Sequence, residues 1–158
     1  MSFTLSTLKT AVQDYLQVSE TAFTSQLDTF IQEAESRIFK SVQLPEQRKN
    51  VTGAASSGNR FLATPTDFYA PFSLAVIDSD NKYTYLDFKH PSFLKEYSPT
   101  STTTGKPKYY SLFDQSAFEM APVPNSNYTV ELHYLYKPAS LTAGADSGTT
   151  LLSTDHPD

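Results

Sequence analysis

The sequence contains neither cysteine nor tryptophan, and it has no run of lysine or arginine. Without cysteine the chain has no disulfide framework and no thiolate zinc site, so an intracellular origin is the default expectation. The 12 basic residues are scattered and the net charge is −5, which argues against tight binding of nucleic-acid phosphates. No stretch approaches the roughly 20 apolar residues of a spanning helix, and no signal-peptide core is present. We therefore expect a soluble protein without membrane contact.

The motifs of common catalytic and metal sites are also missing. The three histidines lie far apart in sequence and show no close ligand spacing: His90, His133 and His156. The chain has no glycine-rich phosphate loop and no G-x-S-x-G motif, so nucleotide hydrolysis and esterase chemistry have no support. We assign no catalytic, cofactor or metal site and expect a protein that is not an enzyme.

Residues 1–47 have the apolar periodicity of two helices. One stripe at three- and four-residue spacing predicts a helix from about Leu5 to Leu16, with Thr4 as its N-cap. A second stripe predicts a longer helix that ends before Pro45, and its members are Leu27, Phe30, Ile31, Ala34, Ile38 and Val42. We expect these two antiparallel helices to form part of a helical bundle.

From Arg48 onward, short β-rich segments alternate with turns. Segments 50–53 and 60–65 flank one turn and segments 72–77 and 82–88 flank another, so two hairpins are predicted. Two helical turns are predicted within 90–99, and a mobile loop tip at 100–105. The clearest strand ends at Lys137, and its alternation places one set of side chains on a common face: Tyr128, Val130, Leu132, Tyr134 and Tyr136.

These segments predict an α+β fold, with an N-terminal helical hairpin and an antiparallel β-sheet domain. Residues 1–47 are assigned to the helical bundle part and residues 48–140 to the β domain, which includes a short helix near 91–97. Residues 141–158 are assigned to a flexible connection that leads to a truncated C-terminal helix, because LLSTDHPD carries N-cap side chains and a proline suited to a first helical turn. We expect the natural chain to continue past Asp158 with about two further amphipathic helices.

Several motifs follow one another in a recognisable order. A helix reads F-I-x-x-A-E-x-R-I, and after it come R-K-N, P-x-D-F and G-x-P-x-Y-Y, then a long tyrosine-rich strand that ends in proline. In this order and combination, segments 27–53, 62–76, 105–138 and 149–158 resemble the head-to-tail adaptor proteins of tailed bacteriophages, particularly those of short-tailed phages.

The resemblance implies a structural role in the virion, at the junction of head and tail, for a protein made in the host cytoplasm. Such adaptors form a ring, usually of twelve copies, that docks beneath the portal protein and extends the DNA channel. The ring presents a platform for tail nozzle and tail tube proteins and has only non-specific proximity to packaged DNA. The segments that carry the resemblance supply the candidate subunit or partner interface: Arg37, Arg48, Lys49, Lys106, Tyr109 and Tyr110. Ring contacts are further expected from sheet edges and loops, including 98–107.

Two other classes of function stay open from the residues alone. Ten tyrosines and eleven phenylalanines could line the groove of a β-rich carbohydrate- or ligand-binding module, as in a phage tail or an adhesin. An uncharacterised hydrolase would need clustered carboxylates or histidines in a pocket, which the sequence does not supply.

Overall fold

A computed structural model describes residues 4–42 and 44–144, which belong to two compact units. One unit combines the chain up to Gln47 with the chain from Pro138, and the other is Arg48–Lys137. The first is helical and the second consists mainly of β-strands, so the predicted α+β fold class is confirmed.

The helical unit contains α1 (Leu5–Leu16), the short α2 (Thr21–Thr24) and α3 (Leu27–Ser41). The predicted bounds of α1 and α3 are confirmed, and Thr4 caps α1 because its side chain accepts a hydrogen bond from the Thr7 backbone N–H. Two 3₁₀ turns, Pro45–Gln47 and Leu141–Ala143, complete the unit.

Contacts between α1 and α3 show that the two helices run in opposite directions. Leu5 belongs to the same buried cluster as Ile31, and the Lys9 ammonium lies 2.7 Å from the Asp28 carboxylate. Moving forward along α1 thus means moving backward along α3. Leu141 is the third buried member of this cluster, so the described core of the unit is small.

The buried face of α3 differs from the predicted apolar stripe. Its buried positions are Leu27, Ile31 and Glu35, whereas Phe30 and Ile38 are exposed. The reason is the 140–143 segment, which packs on this helix. The Glu35 carboxylate accepts hydrogen bonds from the Leu141 backbone N–H and from the Ser140 hydroxyl, at 3.0 and 2.5 Å.

Leu141, held by these contacts, is the first residue of the flexible connection predicted at the C-terminal end. Leu141 is only 4% exposed and begins a 3₁₀ turn, because Ser140 caps that turn and Glu35 binds its first N–H. The rest of the predicted connection, and the predicted C-terminal helix, lie outside the described residues.

The β unit contains ten strands and the helix α4 (Pro91–Tyr97). The strands are β1 (Arg48–Ala55), β2 (Phe61–Ala63), β3 (Phe68–Ile77), β4 (Tyr83–Tyr85), β5 (Asp87–Phe88), β6 (Thr104–Gly105), β7 (Tyr109–Leu112), β8 (Ala117–Ala121), β9 (Val123–Pro124) and β10 (Tyr128–Tyr136). Sheet A has the order β1-β10-β3-β4, sheet B has the order β2-β8-β7-β5, and β6 pairs with β9.

One of the two predicted hairpins is present. Strands β3 and β4 pair as predicted across the turn 78–81, whereas β1 and β2 do not pair with each other. Instead β1 pairs with β10 and β2 with β8, because the long strand β10 takes the central place in sheet A. Two short pairs, β5 with β7 and β6 with β9, are parallel. The second of them includes Thr104 and Gly105 of the predicted loop tip.

The core of the β unit lies between the two sheets. From sheet A, β10 contributes Val130, Leu132 and Tyr134, as its alternation predicts, and β3 contributes Leu74 and Val76. Sheet B closes the core with side chains of β2, β7 and β8: Leu62, Tyr110, Phe118 and Met120. Phe118 is fully buried and makes edge-to-face ring contacts with Phe68 and Tyr110. Close packing of this kind gives the strands fixed positions.

Candidate assembly surfaces

Arg48 and Lys49 begin strand β1, which lies at one edge of sheet A. Seven of the eight residues of β1 are exposed, so this strand offers both faces to solvent. The Arg48 guanidinium lies 4.6 Å from the centre of the Phe72 ring, and Phe72 is itself 59% exposed. The pair forms a flat cationic and aromatic surface of the kind found in protein interfaces.

Lys49 takes part in a small polar network instead. Its ammonium lies 2.6 Å from the Asp67 carboxylate, which also accepts a hydrogen bond from the Tyr134 hydroxyl at 2.8 Å. The hydrogen bond from Lys49 holds the pKa of Asp67 below its usual value. Burial, together with the bond to Asp67, raises the pKa of Tyr134 to about 12. The network joins the start of β1 to the core strand β10.

Lys106 lies in the loop before β7 and pairs with the turn between β3 and β4. Its ammonium is 2.9 Å from the Asp78 carboxylate, and this hydrogen bond lowers the pKa of Asp78. Both side chains remain partly exposed. Lys106 therefore ties the 98–107 loop to the β3–β4 turn.

Tyr109 and Tyr110 are neighbours on β7 and point to opposite faces of sheet B. Tyr109 is half-buried and makes edge-to-face contacts with Phe93 and Tyr97 of α4, at 5.1 and 5.0 Å between ring centres. We call these three rings the aromatic patch. Tyr110 is only 4% exposed and packs in the core against Phe118. Of the two tyrosines, only Tyr109 has surface to offer a partner.

The aromatic patch is held in place by a buried carboxylate below α4. Glu119 of β8 is 1% exposed, and one of its oxygens receives the Lys95 ammonium of α4 at 2.5 Å and the Arg60 guanidinium at 3.1 Å. A buried carboxylate is costly unless it is paired, so the two cations and Glu119 depend on one another. The Lys95–Glu119 ion pair fixes α4, and with it Phe93 and Tyr97, on sheet B.

Arg37 belongs to the helical unit and lies on the exposed side of α3. Near it along this helix lie Phe30 and Ile38, which are 49% and 43% exposed. This face is more apolar than an ordinary solvent face of a surface helix. The structure thus places five of the six candidate residues at exposed or half-exposed positions on β1, the 98–107 loop, sheet B and α3, and it places Tyr110 in the core.

Two exposed side chains of β4, at one edge of sheet A, were not among the sequence candidates. Tyr83 and Tyr85 of β4 are 50% and 64% exposed, and β4 is the edge strand opposite β1. Phe93 and Tyr97 of the aromatic patch were also missed, although two rings four residues apart on a predicted helix are a readable signal. No local pattern indicates which strand ends a sheet.

Two of the three histidines lie within the described residues. His90 caps α4 by accepting from the Ser92 backbone N–H, and His133 lies beside Asn50 and Glu131 on the outer face of sheet A. Within residues 4–42 and 44–144, no group of three or more histidine, aspartate or glutamate side chains is arranged to hold a metal ion. In the same residues, no helix has the length and apolar character needed to cross a membrane.

A comparison with protein-family models matches residues 3–158 to the SU10 adaptor protein family. The chain belongs to this family of phage head-to-tail adaptors. The resemblance seen in the sequence is thereby confirmed. The protein is a structural bacteriophage component of the virion, and membership implies association with other head-tail proteins. A comparison with curated proteins gave no match.

Proposed function

We propose that this chain forms a ring, of twelve copies, between the portal protein and the tail. The ring extends the DNA channel below the portal and provides the platform on which tail nozzle and tail tube proteins dock. The chain is made in the host cytoplasm and joins the virion at the head-tail junction. The observation that carries this proposal is the family match over residues 3–158.

The exposed surfaces of the β unit support a role in protein contacts. The aromatic patch and the Arg48–Phe72 pair present tyrosine, phenylalanine and arginine, and aromatic residues and arginine are enriched where proteins bind each other. These rings are fixed by α4 and by the sheets, so little conformational entropy is lost when a partner binds. Several separate surfaces suit an adaptor, which must contact a neighbouring copy, the portal and the tail.

The charges suit a channel wall past which DNA slides. The net charge is −5, and several cations are paired with carboxylates of the chain itself: Lys49 with Asp67, Lys106 with Asp78, and both Arg60 and Lys95 with Glu119. Tight DNA binding needs clustered cations that neutralise phosphates and release counterions. A wall without such clusters guides DNA and does not hold it.

Electron microscopy of the purified chain mixed with its portal protein tests the proposal. We expect class averages in which an additional ring lies on one end of the portal, and no such density with the chain omitted. The same sample should show no measurable binding to duplex DNA at 150 mM salt, where tight binders still bind. Portal particles that stay bare at saturating chain concentration would contradict the proposal.

A further inference from the structure

Sheet A ends in two exposed edge strands. Among residues 4–42 and 44–144, the one strand paired with β1 in this sheet is β10, and the one paired with β4 is β3. The outer edge of each strand therefore presents backbone N–H and C=O groups that the sheet does not use, which is a template for pairing with another chain. Folded proteins usually protect long edges, yet seven of the eight residues of β1 are exposed.

The two edges run in opposite directions. Each neighbouring pair in sheet A is antiparallel, so β1 and β4, at the two ends of four strands, are antiparallel to each other. Copies in a closed ring are related by rotation and use two different surfaces for each contact. With copies in a common orientation, β4 of one copy meets β1 of the next as an antiparallel pair.

Side-chain sizes at the two edges are complementary when the strands are followed across the sheet. Tyr83 is level with Ile77, Thr129 and Ala54 in turn, because these residues are paired along the sheet. By the same route, Tyr85 is level with Thr52. Without a shift in register, two large exposed rings of β4 thus face the small side chains of β1. Such size matching favours cross-strand packing.

Charges near one end of the docked strands are complementary as well. Asp87 is exposed and follows Tyr85 by two residues, where the chain has left sheet A and begins β5 of sheet B. Arg48 is exposed at the start of β1, four residues before Thr52. Asp87 and Arg48 therefore both lie beyond the Tyr85–Thr52 level, at the same end of the contact. Opposite charges at one end of a contact attract each other.

We propose that β4 of one copy adds to β1 of the next, so that sheet A continues from copy to copy around the ring. The occupant of each β1 edge is thus a second copy of this chain. This inference rests on the proposed ring and names the surfaces that form it. Backbone hydrogen bonds supply affinity, and Tyr83 and Tyr85 set the register against Ala54 and Thr52. The opposite charges of Asp87 and Arg48 attract each other at one end of the contact.

The chain has no cysteine, so disulfide cross-linking tests the pairing directly. Opposed residues of antiparallel strands have Cα atoms about 4.5–5.5 Å apart, which is within the range that a disulfide spans. The double variant Ala54→Cys/Tyr83→Cys should give a ladder of linked copies on a non-reducing gel, under oxidation of the assembled ring. The matched control is Ala54→Cys/Tyr69→Cys, because Tyr69 is at least as exposed as Tyr83 but lies on β3, outside the proposed β4–β1 contact. The control should stay at monomer mass.

A charge exchange provides a second readout that does not depend on cysteines. We expect Arg48→Glu to raise the concentration needed for half-maximal ring assembly about two- to five-fold. The double variant Arg48→Glu/Asp87→Arg should restore it. A loss that the second exchange does not reverse would overturn the proposed β4–β1 contact.

The mass of the wild-type assembly separates failure of this inference from failure of the proposed function. If rings form but the Ala54→Cys/Tyr83→Cys variant gives no ladder, the β4–β1 contact is overturned and the proposed ring is unaffected. A wild-type chain that forms no ring, alone or on the portal, would overturn both. Rings that form and give the ladder, while the Ala54→Cys/Tyr69→Cys control stays at monomer mass, support both the ring and the β4–β1 contact.

Discussion

The two compact units differ in how much apolar surface each buries. In the β unit, eleven residues from both sheets form one buried cluster, whereas the described part of the helical unit has a cluster of three. The helical unit also leaves large apolar side chains exposed, with Tyr15 at 88% and Phe30, Ile38 and Val42 each above 40%. Burial of apolar surface is the main source of stability, so the β unit is better stabilised than the described part of the helical unit.

This difference suits the two units to different roles in assembly. A rigid β unit can hold the aromatic patch and the edges of sheet A in fixed positions, which recognition requires. A helical unit with a small core gains stability when a partner covers its exposed face. Substitutions in the two units should therefore have separable effects.

The largest effect is expected from Leu132→Asp in β10. Leu132 is 3% exposed in the center of the larger core, and an unpaired carboxylate there costs several kcal/mol against a total stability of about 5–15 kcal/mol. The β unit should lose its cooperative thermal transition by circular dichroism. Thr129→Asp, on the exposed face of the same strand, is the control and should melt like the wild type. An unchanged melting curve for Leu132→Asp would show that Leu132 does not lie in the core of the β unit.

A substitution in the smaller core should affect the helical unit alone. Ile31 is 8% exposed and its cluster is small, so the cost of Ile31→Ala should lie at the lower limit of the range for buried isoleucines. We expect this unit to be destabilised by about 2 kcal/mol. Amide exchange followed by mass spectrometry should become faster in α1 and α3 and stay unchanged in β3 and β10. Equal acceleration in β10 would mean that the two units do not fold separately.

Glu119→Gln tests the ion pairs that hold the aromatic patch. The change removes the buried carboxylate that Lys95 and Arg60 share, and we expect a loss of about 1–3 kcal/mol, because Lys95 remains half exposed and can be hydrated. Asp78→Asn breaks the more exposed pair with Lys106 and serves as the matched control with a smaller effect. Urea unfolding of both variants measures the difference. A control that costs as much as Glu119→Gln would argue against a special role for the buried pair.

The smallest effect concerns acid stability. The folded-state pKa of Asp67 lies below the ordinary value of 3.8, so its ion pair contributes stability above that value. The contribution is lost as the pH falls from 3.8 through the folded pKa. Asp67→Asn should therefore have lower stability than the wild type at pH 6 and a flatter decline between pH 4 and pH 2. Melting temperatures across this range measure it, and parallel curves for the two proteins would contradict the assignment.

Local patterns predicted the elements that local physics determines. The stripe and cap of α1 predict its bounds, and the alternation of β10 predicts which of its side chains are buried. The pairing of β1 with β10 joins segments about 80 residues apart, which no local pattern encodes. Tyr109 and Tyr110 illustrate the limit for the candidate site. Alternation places them on opposite faces, but only the packing of sheet A on sheet B decides that Tyr110 is inside.

The buried face of α3 has a similar cause. Phe30 and Ile31 are neighbours with comparable hydrophobicity, and the stripe drawn from the sequence includes both. Ile31 is buried because the segment around Leu141, more than 100 residues later, packs on its side of the helix. The exposure of Phe30 follows from the same contact, which sequence spacing does not reveal.

The number of adaptor copies bound to the portal protein, measured by mass, is the most direct test of the ring. Native mass spectrometry of the purified complex counts the copies of the 17.6 kDa chain on each portal particle. The account predicts a single species in which twelve copies are bound, because a closed ring has no partly filled state of comparable stability. A ladder of complexes with one, two, three and more independently bound copies would contradict a ring.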